Sequence, residues 1–306
     1  MHVLLTGASG FFGSVCVELL AQQQDLHLYI LRSGEGSAEL LVNKEKAPTF
    51  VAPSSLSADD LATTLGHAPI SHILHVGALA SPEACEQEPQ RAHTANVVFT
   101  EMLSNYANTV GAHLTTISTD LVFDGGRAPS HGFCEEDLPC PHSVYSNSKL
   151  AAEMATLCNS SHAVVRVALL YGEAPSQSKG FLGWMKRTFA EEKSLPLFED
   201  EFRTPIHVLD AARAAFQIAR SRARGIWHCG GPERLSRVQF GITVARAYGF
   251  DERLILPTTR LSHTSLPPRP EDVSLKSQAL WREIQFTPKP VEEALREYEV
   301  GSRYSL

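Results

Sequence analysis

The chain has 306 residues, 43% of them hydrophobic and 20% charged, with a formal net charge of −7. That size and composition allow a large core, in one big domain or two modest ones. The acidic balance weighs against nucleic acid or an anionic membrane as main partner, and no apolar run approaches the roughly 20 residues that cross a bilayer.

The opening MHVLLTGASG has no charged leader region and no cleavage site, so a cytoplasmic location is expected. The six cysteines (Cys16, Cys85, Cys134, Cys140, Cys158 and Cys229) are scattered without a CxxC pair, which suits a reducing compartment. His131, Cys134, Cys140 and His142 crowd one segment. Their spacing fits no common zinc pattern and Pro129, Pro139 and Pro141 interrupt it, so a loop is expected there, and no metal.

In chain order, HVLLTG (2–7) is a short apolar run ending in glycine, which predicts a buried strand; FFGSVCVELLAQQ (11–23) follows with helical periodicity. DLHLYILR (25–32) and SHILHVGA (71–78) read as further strands, and residues 82–111 carry helical patterning broken near Pro89. AHLTTISTDLVF (112–123) predicts a strand running into a loop, 146–159 a helix, and HAVVRVALLYG (162–172) a strand. This alternation predicts an α/β fold built on a doubly wound parallel sheet, a Rossmann fold.

Beyond Gly172 the alternation breaks. FLGWMKRTFAEEK is a short amphipathic piece, 206–222 a helix, GIWHCGG (225–231) a short strand and turn, and VQFGITVARAYGF and KPVEEALREYE are helical. The expected layout is a nucleotide-binding domain of residues 1–172 plus about 206–230. A smaller C-terminal α/β substrate-binding domain takes residues 173–205 plus 231–306.

TGASGFFG sets Gly7, Gly10 and Gly13 in GxxGxxG spacing between the first strand and the first helix. Glycine permits the tight turn and a close backbone approach, and the helix N-terminus offers amides and partial positive charge to a diphosphate. Dinucleotide binding is the expectation. The second strand ends Leu31-Arg32-Ser33 with no carboxylate until Glu35. A guanidinium and a hydroxyl suit a 2′-phosphate, so NADP(H) is expected over NAD(H).

In PHSVYSNSKLAAE (141–153), Tyr145 and Lys149 stand one helical turn apart. Upstream, Ser118, Thr119 and Asp120 close a predicted strand, at the sheet edge where ligands sit in such folds. A tyrosine with a pKa near 10 is a poor base at neutrality, and a nearby ammonium would lower it. Tyr145 would exchange a proton with a substrate oxygen while hydride moves at the adjacent carbon, with Thr119 holding that oxygen.

TGASGFFG, ISTDLVF and YSNSK together resemble the extended short-chain dehydrogenase/reductases, the NAD-dependent epimerase/dehydratase superfamily. The likeness is strongest to the dTDP-4-dehydrorhamnose reductase family, whose order HILHVGALASPEACEQEP, Asn96, STDLVFDG and YSNSKLAAE follows. LFEDEFRTPIHVLDAARA and RPEDVSL echo its C-terminal half. The resemblance implies that Thr119, Tyr145 and Lys149 are catalytic. It implies that Gly7, Ser9, Gly10, Phe11, Phe12 and Gly13 form the phosphate turn, and that Arg32 and Ser33 meet the cofactor. Gly77, Ala78 and Leu79 would pass alongside the cofactor with Asn96 supporting them; Ser81, Asp120 and Arg203 would face the substrate. A nucleotide sugar is the implied substrate, and a homodimer the implied assembly.

Several positions depart from that pattern. Leu121 stands where the family usually has a tyrosine, Leu169 where it has a tryptophan, Leu79 and Ala80 where it has a polar pair, and Ser55 near an expected acidic residue. Reduction of a keto group on a nucleotide-linked sugar is the leading expectation. The alternatives are an epimerase of the same fold, or a non-catalytic regulatory protein; the regulatory beta subunit of methionine adenosyltransferase is similar to this same family.

Overall fold

The computed structural model describes residues 1–34, 41–42, 45–126, 129, 132–174, 180–262, 267 and 269–300. Among them, seven strands form one sheet: β1 (His2–Thr6), β2 (His27–Arg32), β3 (Thr49–Val51), β4 (His72–His75), β5 (His113–Thr119), β6 (Ala163–Val167) and β7 (Gly225–Cys229). All pairings are parallel, in the order β7-β6-β5-β4-β1-β2-β3. Parallel strands need crossovers, and the crossover helices cover both faces. Accordingly β4, β5 and β6 are buried along their whole length.

The longer helices among the described residues are α1 (Phe11–Ala21), α2 (Ala58–Leu65), α3 (Phe99–Val110), α4 (Val144–Leu157), α5 (Phe181–Ala190), α6 (Val208–Ser221), α7 (Arg237–Tyr248), α8 (Gln278–Ile284) and α9 (Val291–Val300). Val15, Leu19 and Leu20 of α1 share one core with Leu209, Phe216 and Ile218 of α6. On the opposite face, Leu61 and Leu65 of α2 pack with Phe99, Leu103 and Tyr106 of α3. The doubly wound sheet expected from the alternation is therefore present. Strand order reverses between β1 and β4, so a ligand crevice opens at their carboxyl ends.

A second core joins Leu182, Met185 and Phe189 of α5 with Phe240 and Val244 of α7 and Val291 and Leu295 of α9. It also carries a small parallel pair, Leu195–Phe198 against Ile255–Thr258. Leu280 of α8 packs with the main sheet core instead. Among the described residues, no helix is long and apolar enough to cross a membrane.

Two local differences from the sequence reading bear on function. The helical stretch 82–111 breaks into Pro82–Gln87, Pro89–His93, a π-helical turn Thr94–Val98, and α3. Proline at each early break lacks the amide that would continue the preceding helix. Second, α4 starts at Val144 rather than 146. Ser143 and Ser146 form a reciprocal capping box, which brings Tyr145 into the first turn.

Candidate active site

After β1 the chain turns at Gly7 with φ +71°, a conformation that disfavours side chains. A Cβ on Gly7 would lie 2.6 Å from the Gly77 backbone, and one on Gly13 would lie 1.9 Å from the Gly7 carbonyl oxygen. The turn, the first turn of α1 and the loop after β4 thus meet backbone to backbone at the switch point. Gly10 caps α1 with no side-chain cap bond, and a helix N-terminus of this kind suits an anion. Phe12 is buried, Phe11 is half-buried against Gly180, and Ser9 is exposed. Arg32 closes β2 and Ser33 follows it, exposed. Glu35 lies outside the described residues. This cradle fits the diphosphate of a dinucleotide.

A buried chain of polar groups holds the crevice walls together. Thr100 Oγ1 donates to the Asn96 carbonyl at 2.7 Å, so it accepts from His75 Nε2 at 2.9 Å; His75 Nδ1 in turn accepts from Thr6 Oγ1 at 2.7 Å. Thr6 Oγ1 accepts from the Gly77 amide at 3.1 Å. Burial, with the nearby Lys149 charge, pushes His75 down to about 3, so the ring is neutral. Asn96 sits in the π turn, a feature that favours functional sites. Its Oδ1 accepts from the Leu79 amide at 2.8 Å, and its amide donates to Leu79 O at 3.2 Å and to Ser148 Oγ at 2.8 Å.

Thr119 ends β5; its hydroxyl donates to Asp120 Oδ1 and accepts from the Leu121 amide, both at 3.2 Å, and it lies near enough to the Tyr145 phenol to favour its ionised form. Lys149, one turn along α4, donates to the Ile117 carbonyl at 2.7 Å. Burial pulls the Lys149 amine down to about 8, with the Glu153 carboxylate acting the other way. Burial also drives Tyr145 well above its ordinary value; Thr119 opposes this, while Asp120 and Cys85 add to it. The depression expected from Lys149 is therefore absent: desolvation of the phenolate wins in the protein alone. Tyr145 is a proton-bearing phenol, the form an acid needs.

Beyond Tyr145 a cavity of about 180 Å³ opens between the turn after β5, the start of α4, and Arg260, Pro267, Arg269, Pro270 and Glu271. Arg203, Arg260 and Arg269 line it. Beneath them Glu201, with no exposure, accepts from Arg203 at 3.2 Å and from Arg237 at 2.7 Å, with Arg269 3.7 Å away. Burial raises the Glu201 pKa, yet Arg237, Arg203 and Arg269 outweigh it and hold the carboxyl below its usual range. Asp120 Oδ2 lies 3.8 Å from Arg203 Nε, and burial nevertheless raises the Asp120 pKa. Among the described residues Arg203 Nη1 has no hydrogen-bond partner. Ser81 caps Pro82–Gln87, accepting from Ala84 and donating to Glu83.

The model of the family described as the RmlD substrate binding domain matches residues 1–300. The chain belongs to that family. It is 30% identical over 265 residues to methionine adenosyltransferase 2 subunit beta of Pongo abelii, covering 84% of this chain and 75% of that one. It is 28% identical over 265 residues to a probable low-salt glycan biosynthesis reductase of Haloferax volcanii, covering 83% of each. The dTDP-4-dehydrorhamnose reductase of Bacillus anthracis, solved in complex with NADP, shares the fold with a TM-score of 0.81 and 21% identity, over 98% of this chain and 99% of that chain.

In this RmlD-family member, the expected residues gather at one sheet edge. Gly7, Gly10, Gly13 and Gly77 form the crevice, Thr119, Tyr145 and Lys149 lie on the strand and helix beside it, and Arg203 lines the cavity with Asp120 buried 3.8 Å behind it. Sequence reasoning missed Arg260, Arg269, Glu201, Arg237, His75 and Thr100. The arginine-rich C-terminal segment was a signal for the first two; the others are legible only once strands are paired. Of the histidines and cysteines considered for zinc, His131 lies outside the described residues and Cys134 donates to Asp137 at 3.2 Å. Cys140 and His142 instead meet Asp124, with one ligand atom from each within 4.8 Å of the others.

Proposed function

We propose that this chain is an NADP(H)-dependent reductase of a keto group on a nucleotide-linked sugar. The observation that carries the reading is the nearness of the buried, proton-bearing Tyr145 to Thr119, with Lys149 one turn away. Thr119 closes β5, and Ser143 and Ser146 on either side of Tyr145 line the arginine-bearing cavity, while a dinucleotide diphosphate would fit the glycine cradle after β1. The Haloferax relative's description as a reductase, and the NADP in the Bacillus neighbour, support it.

When bound, the nicotinamide would supply a hydride to the carbonyl carbon. Tyr145 would give its phenolic proton to the carbonyl oxygen as charge develops there, and Thr119 would hold that oxygen in line. Lys149, largely charged near neutrality, would offset the phenolate left behind. Gly7, Ser9, Gly10, Phe11, Phe12 and Gly13 would carry the diphosphate, with Gly77, Ala78 and Leu79 alongside. Asn96 would hold that loop. Arg32 and Ser33 would receive the 2′-phosphate, whose charge favours NADPH. Asp120, Ser81 and Arg203 would face the substrate, and the cavity's arginines would suit its diphosphate.

A regulatory, non-catalytic role is the second reading. It is favoured by the identity to methionine adenosyltransferase 2 subunit beta and by the apolar Leu79, Ala80 and Leu121. Titration with NADPH and NADH, followed by energy transfer from tryptophan, separates the readings. The reductase requires tight NADPH binding that weakens at least about tenfold in Arg32→Ala. It also requires that Tyr145→Phe binds NADPH normally but loses most turnover of keto-sugar nucleotides. Preference for NADH would favour the epimerase, and NADPH binding with turnover of no keto-sugar nucleotide would favour the regulator.

A further inference from the structure

The sheet's other edge carries a second built cleft. His72 opens β4, His113 opens β5, and His162 directly precedes β6. His72 and His113 are register partners across the β4–β5 pair. Ring centroids are 6.4 Å apart for His72–His113 and 6.1 Å for His113–His162, both edge-on. A cleft of about 220 Å³ lies against this row, lined by His113, His162, Asn108, Ser161, Arg222 and Arg224.

Two histidines here are deeply buried yet incompletely paired. His113 is 3% exposed and His162 1%. His113 Nδ1 lies 2.9 Å from the Ser161 carbonyl, which only accepts, so Nδ1 carries the hydrogen and Nε2 is bare. His162 Nδ1 accepts from the Leu114 amide at 3.3 Å, so its hydrogen is on Nε2. Among the described residues neither Nε2 has a hydrogen-bond partner, and neither atom is open to solvent, so both rings meet the cleft through their other atoms. The Arg222 and Arg224 charges act on His113, and Arg222 also on His72. Two guanidinium groups with no carboxylate among the described lining residues make the cleft cationic on a chain of net charge −7, while burial lowers the His113 and His162 pKa values and keeps those rings neutral.

We propose that this cleft binds a phosphate group, as free phosphate or as a small phosphate monoester. Guanidinium groups match phosphate oxygens in geometry and charge. The arginines exclude a metal cation from the same place. The cleft joins two elements that also serve the other edge: β5 runs from His113 to Thr119, and Asn159–Ser161 follow the helix that bears Tyr145 and Lys149. Occupancy would therefore brace the strand and helix that carry the proposed acid. The inference stands without the reductase reading.

The test is histidine-selective 15N NMR during titration with sodium phosphate, against sodium chloride at matched ionic strength. The His113 and His162 ring nitrogens should shift saturably with phosphate and not with chloride. The Arg222→Gln, Arg224→Gln double variant, shown folded by an unchanged melting temperature in phosphate-free buffer, should bind at least about tenfold more weakly. Glycerol phosphate separates the sources: tighter binding than inorganic phosphate assigns a monoester, equal or weaker binding assigns free phosphate. No saturable shift at tens of millimolar, an equal response to chloride, or undiminished binding by the double variant would overturn the assignment.

Discussion

Asn96 donates to Ser148 Oγ at 2.8 Å, and Ser148 Oγ donates to the Tyr145 carbonyl at 2.7 Å. With its two bonds to Leu79, the Asn96 side chain ties the loop beside the nucleotide crevice to the helix that presents Tyr145. One buried amide therefore fixes the distance between the two halves of the proposed reaction.

Removing that amide leaves the half-buried Leu79 N–H without its acceptor and takes a donor from the buried Ser148 Oγ, while Cys85 Sγ still donates to the Leu79 carbonyl. Unpaired buried groups cost about 1–3 kcal/mol each, so Asn96→Ala should lose about 2–4 kcal/mol of stability. Urea unfolding measures it, and NADPH titration of the folded variant should show weaker binding. A loss below about 1 kcal/mol would mean that the loop is held by other contacts.

Lys149 gives a prediction in pH. Burial lowers its pKa from 10.5 to about 8 in the folded chain. Between these values the unfolded chain holds a proton that the folded chain lacks, so lowering pH through this window favours unfolding. Below about 8 both states are charged and the penalty is constant; above 10.5 it vanishes. Lys149→Met should therefore be more stable than the parent at pH 7, by on the order of 3 kcal/mol before the lost Ile117 bond is counted. The difference should shrink as pH climbs from 8 to 10.5. Denaturant midpoints at several pH values test this, and parallel curves for the two proteins would refute it.

Strand and helix periodicity made the sheet legible because parallel strands buried on both faces read as unbroken apolar runs, as HVLLTG and HAVVRVALLYG do. The glycine turn was legible because Gly7 and Gly13 lie in a local pattern whose steric reason is local: each faces backbone within the same turn or its neighbour. The Thr6–His75–Thr100–Asn96 chain was not, since it joins residues brought together only by strand pairing. Nor was the phenol's protonation, because Lys149 four residues away suggested charge stabilisation while burial decides the sign. The edge strand Thr49–Val51 is too short and too exposed to show a period.

Glu153, one turn beyond Lys149, pairs with Arg166 at 2.7 Å, both groups almost wholly buried. Ser118 donates to Glu153 at 2.5 Å, and Arg166 reaches His228 Nε2 at 3.3 Å. His228 Nδ1 donates to the Phe133 carbonyl, which leaves Nε2 to accept from the guanidinium; burial and Arg166 push that ring down to about 3. Deleting one partner strands the other charge in the core, which costs about 3–5 kcal/mol, whereas deleting both removes the desolvation penalty as well. Glu153→Leu alone should therefore be destabilised by roughly that amount, and adding Arg166→Met should recover more than half of it. Urea unfolding of the two single variants and the double variant closes the cycle. If the single losses simply add, the pair is not coupled. If they do not, Ser118 at the end of β5 and Lys149 share one electrostatic support, and the double variant should also lower the Lys149 pKa below that of the parent, because the Glu153 charge that raises it is gone.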